Sequence, residues 1–199
     1  MLKRLLLSPA KDYKNYRWFY TSEGVLVVGG KSDDQNELVI KNFLRPEFKV
    51  MHTSEPGSPF CILLSKEPSK KDLEECSIFC GCFSQQWKKV KKNGKISVDI
   101  FDGSQVYKTK GMKTGTFGVQ GDKKVVKIKP ELIVVVQKGK IRAVPKGTKE
   151  TKLAVISPGK MKKEEAVEKI AKKIRDKFHF PVSKEEIMQA IPSDKIGVR

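Results

Sequence analysis

From Tyr16 onward the chain sets short apolar runs, rich in β-branched and aromatic residues, against two longer stretches of helical periodicity. Tyr16–Tyr20 and Val25–Val28 read as two strands joined by the turn Ser22-Glu23-Gly24, because such runs bounded by turn formers suit a pleated, half-buried surface. Ser32 with Gln35 three residues on is a candidate capping box. It opens a helix to about Leu44, with Leu38, Val39 and Phe43 facing inward and Pro46 closing it. Phe48–His52 and Phe60–Leu64 are short strands around the loop Thr53–Pro59.

Ser69 and Asp72 form a second capping signal. The helix after it carries Leu73, Cys76, Phe79, Cys80, Phe83, Trp87 and Val90 at spacings of three or four residues, which predicts one continuous apolar stripe. Beyond Gly94 the pattern turns to strands: about Ile96–Phe101, Val106–Lys108, Thr116–Gln120, Val125–Lys129, Leu132–Gln137 and Ile141–Val144. After the composition shift at Pro145 come a strand Leu153–Ile156, a Ser157-Pro158-Gly159 turn, a helix Lys162–Phe178, a shorter helix Lys184–Ala190 and a tail. The class is α+β: a mostly antiparallel sheet with two principal helices and a small helical C-terminal part.

Charge changes this picture. The 41 Lys and Arg against 23 Asp and Glu give +18, and they are unevenly placed. Residues 1–83 hold 12 basic and 11 acidic side chains, residues 84–142 hold 15 and 4, and residues 143–199 hold 14 and 8. The net values are therefore +1, +11 and +6, which marks the middle third as the docking surface for a polyanion. Cys61, Cys76, Cys80 and Cys82 lack the paired spacing of a zinc ribbon. They are expected as buried thiols in a reducing cytoplasm. The opening MLKRLLLSPAKDYK has an apolar run too short for a signal peptide or a membrane span.

Catalytic patterns are thin. Gly30-Lys31-Ser32 comes after a strand and precedes a helix, but Val25 stands where a phosphate-cradling loop needs its first glycine. The helix start with Lys31, Gln35 and Asn36 is instead expected to hold a phosphate oxygen through free amides and polar side chains. Asp99, Asp102 and His52 are the residues an RNA-processing enzyme would use, although Asp102-Gly103 is also ordinary turn chemistry. No cofactor and no metal site are expected. Lys88, Lys89, Lys91 and Lys92 crowd the end of the long helix, where lysines suit the dipole as well as a phosphate backbone. Lys108, Lys110 and Lys113 lie in a glycine-containing loop that lets a ligand approach the backbone. Trp87, Tyr107 and Phe117 are the aromatic residues available to stack on bases, with core packing the competing role for Trp87 and Phe117.

Arg17-Trp18-Phe19, Ser22, Gly24, Leu26, Gly29-Gly30-Lys31, Gln35-Asn36-Glu37 and Leu44-Arg45-Pro46 occur in the order of a known pattern. His52 with Pro56-Gly57-Ser58, then Ser84–Trp87, Gln105-Val106, Lys108, Gly111, Gly115, Phe117 and Gly121 continue it. On these residues the chain resembles the NFACT-R (NFACT RNA-binding) domain family, the C-terminal module of Rqc2 and NEMF ribosome-quality-control factors. Pro158-Gly159-Lys160 and Ile191-Pro192 more loosely resemble segments C-terminal to that module in archaeal and eukaryotic full-length members. Ser54 stands where the family often has an acid. The family's N-terminal domain, helix-hairpin-helix and coiled coil have no counterpart in these residues, so tRNA recruitment and tail elongation are not expected of them.

The resemblance implies a binding unit over residues 1–145, with residues 146–199 as an extension packed on it or tethered to it. It implies a non-catalytic, cytoplasmic RNA-binding protein for tRNA, ribosomal RNA or the ribosome, with no membrane partner. The residues expected to contact RNA are Arg17, Lys31, Gln35, Asn36, His52, Lys88, Lys89, Lys91, Lys108, Lys110 and Lys113. A protein-interaction adaptor is the alternative, DNA stays open as a second polymer, and the oligomeric state is not set by the sequence.

Overall fold

The computed structural model describes residues 12–91, 93–179 and 181–199. The amino-terminal leucine run, Lys92 and Phe180 lie outside the described residues. The elements are β1 (Arg17–Tyr20), β2 (Leu26–Gly29), α1 (Asp33–Phe43), β3 (Lys49–Thr53), β4 (Cys61–Leu63), α2 (Lys70–Cys82), α3 (Gln86–Lys89), β5 (Ile96–Asp102), β6 (Val106–Tyr107), β7 (Gly118–Val119), β8 (Lys124–Ile128), β9 (Leu132–Gln137), β10 (Lys140–Pro145), β11 (Ala154–Met161), α4 (Lys163–Phe178), α5 (Lys184–Ala190) and β12 (Ile196–Val198). This is the α+β class, with every strand pairing antiparallel.

The predicted sheet is divided. Six strands run in the order β1-β2-β4-β3-β5-β8, four in the order β10-β9-β11-β12, and β6 with β7 makes a small ribbon. The strands of the larger sheet are apolar on both faces because layers cover both. Trp18, Val28, Val50 and Ile62 face α1 with Val39 and Phe43. Phe19, Val27, Cys61 and Leu63 face Cys76, Phe79 and Cys80 of α2. Ile133, Val135 and Val144 close α2 from the smaller sheet, whose other face (Val134, Ile141, Ala143) packs on Ala166, Ile170 and Ile174 of α4 and on Ile187. The four cysteines are buried and free of disulfides, and burial raises the thiols of Cys61, Cys76 and Cys82.

Two buried polar devices lock the layers together. Thr21 Oγ1 donates to Asp72 Oδ1 at 2.6 Å, fixing the β1–β2 turn on the first turn of α2. Gln137 is 3% exposed; its Oε1 accepts from Tyr20 N at 2.6 Å and its Nε2 donates to Tyr20 O at 2.9 Å. That side chain thus pairs with the end of β1 as a strand backbone would, and joins the two sheets.

Four expectations need correction. The single long helix is two, because Ser84 Oγ donates to Gly81 O at 2.7 Å and accepts from Gln86 N at 3.1 Å, drawing the backbone out of the α-helical ladder. The capping box at Ser32 is half of one: Ser32 accepts from Gln35 N, but Gln35 Oε1 turns to Lys31 N. Leu38 is 44% exposed instead of inward. Ser157-Pro158-Gly159 is no free turn but a bulged part of β11, since the tail returns as β12 and Gly159 N donates to Lys195 O at 2.7 Å.

Candidate nucleic-acid interface

The glycine-lysine turn ends β2 and starts α1. A Cβ on Gly30 would stand 2.3 Å from Asn36 Oδ1, so only glycine allows Asn36 to tuck under the turn. Asn36 is buried and its Oδ1 accepts from Phe60 N at 3.3 Å, which commits it to the fold. Gln35 is committed to the Lys31 amide, and Asp33 and Asp34 already answer the helix dipole. Lys31 remains exposed and donates its Nζ to Asn15 O at 2.9 Å.

His52 is half-buried, with its ring 4.6 Å from that of Phe60 and Nδ1 2.8 Å from Thr53 O. Burial lowers its pKa from the ordinary imidazole value, so the ring stays neutral near pH 7. Across the β3–β5 register it stands opposite Asp99, whose carboxylate is taken by Ser54 Oγ and Lys123 Nζ. Asp102 pairs with Lys49 at 2.6 Å and caps the turn Gly103–Gln105. Both acids are thus spent on structure, and among the described residues no group of three ligands stands ready for a metal.

The loop between β6 and β7 is latched to α1. Lys108 Nζ meets Glu37 Oε2 at 2.6 Å, Gly115 N donates to the same oxygen at 2.8 Å, and Lys108 also caps Lys113 O at 3.2 Å. Gly115 takes φ +74 with a would-be Cβ 2.5 Å from Asp33 Cα, so the loop's approach to α1 requires glycine. Lys108 Nζ lies 4.7 Å above the Phe117 ring. Lys110 and Lys113 project freely, exposed and without an ion pair among the described residues. Of the three candidate stacking aromatics, Trp87 is core at 1% exposure, Phe117 is half-buried, and Tyr107 at 41% offers its ring to solvent.

The break after α2 carries Lys88, Lys89 and Lys91 to the rim of a cleft of about 650 Å³. Its other walls bring in Lys129, Lys160, Lys195 and Arg199. Glu131 is the acid there, and Arg199 neutralises it. Nearby, Arg17 on β1 lies with its guanidinium 4.4 Å from the Phe83 ring, and Arg142 on β10 lies 4.8 Å from the Trp18 ring. Burial lowers the Arg17 guanidinium to about 10, still charged at neutral pH and therefore bearing the desolvation cost. Desolvation also lowers Lys31, Arg142 and Lys163, and the charges of Arg17 and Arg142 add to this at Lys31.

The sequence-predicted residues therefore fall into three groups. Arg17 and Lys31 line one small cavity and Lys88, Lys89 and Lys91 the larger cleft; Lys110 and Lys113 lie on the latched loop; His52, Gln35, Asn36 and Lys108 are engaged in internal contacts. Lys129, Lys160, Lys195 and Arg199, which also line the cleft, were not singled out in the sequence. They come from separate stretches of the chain, so only the fold brings them to one cleft.

The family described as NFACT protein RNA binding domain matches residues 15–121. The chain is similar to the archaeal Rqc2 homolog aRqcH of Methanocaldococcus jannaschii, 24% identical over 207 residues, covering 96% of this chain and 30% of that protein. It is also 30% identical over 120 residues to the ribosome quality control complex subunit NEMF homolog of Drosophila melanogaster, covering 56% of this chain and 12% of that one. The chain thus spans under a third of the length of these relatives. Among solved structures, the C-terminal part of the fibronectin/fibrinogen-binding protein from Streptococcus suis matches in fold, with TM-score 0.53, 17% identity, 65% of this chain and 51% of that chain. In the described residues no helix is long and apolar enough to cross a membrane.

Proposed function

Because the chain belongs to the NFACT RNA-binding domain family, we propose that it binds RNA without catalysis, as a cytoplasmic module of ribosome-associated quality control. Transfer RNA or ribosomal RNA is the expected target. The observation that carries this reading is the cleft lined by Lys88, Lys89, Lys91, Lys129, Lys160 and Lys195, with Arg17, Lys31 and Arg142 gathered at a second, small cavity. Such a run of cations with one neutralised acid costs self-repulsion that a phosphate backbone offsets. The acids an enzyme would need, Asp99 and Asp102, are consumed by Lys123, Ser54 and Lys49, which favours binding over chemistry.

We read residues 146–199 as packed on the 1–145 unit and not tethered to it, on the strength of β11 pairing with β9. Fluorescence anisotropy of the purified chain with labelled tRNA, a ribosomal RNA fragment and duplex DNA tests the reading. The expected result is salt-dependent binding, tighter for RNA, with the RNA unaltered in length and nucleoside content after incubation with magnesium. Absence of RNA binding, with ribosomal capture that survives nuclease, would instead support the adaptor reading.

A further inference from the structure

Two separate parts of the chain build the cleft beside α3. Lys88 and Lys89 belong to α3, Lys91 follows it, and Lys129 lies between β8 and β9. Lys160 stands in the bulged part of β11, and Lys195 just before β12. Among the described residues none of these six lysines is in an ion pair. Glu131, the carboxylate in the cleft, is held by Arg199. Val90, Pro130 and Pro158 stand among the cations and give the lining an apolar share. Only the Trp87–Gly94 side lies within the family match at 15–121.

The backbone of the C-terminal wall is held at a cost. Lys195 has a φ of 64°, a left-handed conformation that suits glycine or asparagine better than lysine. It is fixed there because Gly159 N donates to Lys195 O at 2.7 Å, tying β11 to the start of β12. A position where glycine would be the relaxed choice thus carries a cation in the cleft wall.

Size decides what such a cleft can admit. Its volume is about 650 Å³. As a sphere that is about 11 Å across, the thickness of one α-helix with its side chains. A double helix has a groove broad enough to receive such an α-helix, so a whole duplex does not fit inside. A single strand does. The volume lies within the roughly 300–1,000 Å³ of sites that enclose a small molecule, which in RNA is about one or two nucleotides. An unpaired strand also exposes bases that gain from apolar neighbours, whereas a duplex keeps its bases stacked inside.

We propose that the cleft receives an unpaired stretch of RNA, its lysines following the phosphates while Val90 and Pro158 meet the bases. This rests on the RNA-binding reading and names the part of the RNA that enters. Trp87, the aromatic residue of the lining, is 1% exposed and offers no platform for stacking, so recognition is led by the backbone and tolerant of base sequence.

The test is anisotropy of the full chain across a potassium chloride series, with a fluorescein-labelled single-stranded RNA of mixed sequence and with the same strand in a blunt duplex. Lys129→Gln, Lys160→Gln and Lys195→Gly are compared with Lys172→Gln, an exposed lysine of α4 outside the cleft. The single strand should bind about tenfold tighter than the duplex or better. Each cleft variant should lower the single-strand salt slope by about 0.7, and Lys172→Gln should change it far less. Lys195→Gly should also keep or raise Tm, because it relieves the left-handed backbone, so that its loss of affinity is not loss of fold. If it melts lower, Lys129→Gln and Lys160→Gln decide. Equal binding of strand and duplex, or a duplex slope that falls with the cleft variants, would overturn the proposal and leave RNA binding intact. So would a tighter single strand whose slope the cleft variants do not move. Absence of salt-dependent binding to either RNA would overturn the RNA-binding reading as well.

Discussion

Replacing Lys110 and Lys113 together by glutamine should flatten the salt dependence of RNA binding, whereas Lys108→Gln should lower affinity with little change of slope. The difference comes from what each ammonium group touches. Lys110 and Lys113 are exposed and unpaired, so each is free to displace counterions from a phosphate. Lys108 is held between Glu37 Oε2 at 2.6 Å and Lys113 O at 3.2 Å, and it keeps the loop seated on α1. A phosphate contact contributes about 0.7–0.9 to the slope of log K against log salt, so a fourfold rise in salt weakens binding roughly threefold per contact. Two contacts amount to about 7- to 12-fold over that range. The double variant should lose that share of the wild-type salt sensitivity. Lys108→Gln frees the Glu37 carboxylate beside the loop and undocks Gly115 from it, so its effect is a few-fold loss of affinity from misplacement. Anisotropy at several potassium chloride concentrations separates the two. A slope that falls for Lys108→Gln and stays put for the double variant would refute the reasoning.

The same geometry sets further outcomes. Gln137→Leu strands the Tyr20 N–H and C=O and the Glu150 contact at 2.8 Å, a loss partly offset by apolar burial. The net should be about 1–3 kcal/mol, or roughly 3–10 °C in Tm; a shift under about 1 °C would show that the side chain does not join the sheets. His52, whose folded pKa is depressed, binds its proton more weakly in the folded than in the unfolded chain. Its contribution is complete above the ordinary imidazole range and is lost as pH falls through the folded value. Thermal melts from about pH 7 to 5 should therefore fall less steeply for His52→Gln than for the natural chain.

Much of the fold was legible because its strands and helix starts carry local signals. Ser69 with Asp72 forms the full capping box, and the strand pair joined by Ser22-Glu23-Gly24 appears as β1 and β2. What escaped were features decided by distant partners. Ser84 breaks the long helix through bonds that periodicity does not encode, and Ile196–Val198 becomes a strand because β11 lies beside it. The basic middle third drew attention to Lys88, Lys89 and Lys91, which line the cleft. Charge counting by segment could not see that Arg17 and Arg142, 125 positions apart in sequence, stand at one cavity, nor that Lys108 is already paired with Glu37. Asn36 reads as a polar binding residue in sequence, yet the closeness of Gly30 makes it a buried brace.

The central claim is that the basic cleft, walled by lysines of the middle third and of the C-terminal segment, receives the RNA backbone. Ultraviolet crosslinking of bound tRNA to the full chain, with mass-spectrometric mapping of the linked residues, tests it most directly. The account predicts linked peptides around Lys88–Lys91, Lys129 and Lys160 together. Crosslinks confined to the outward face of α4, around Lys169 and Lys172, would contradict it.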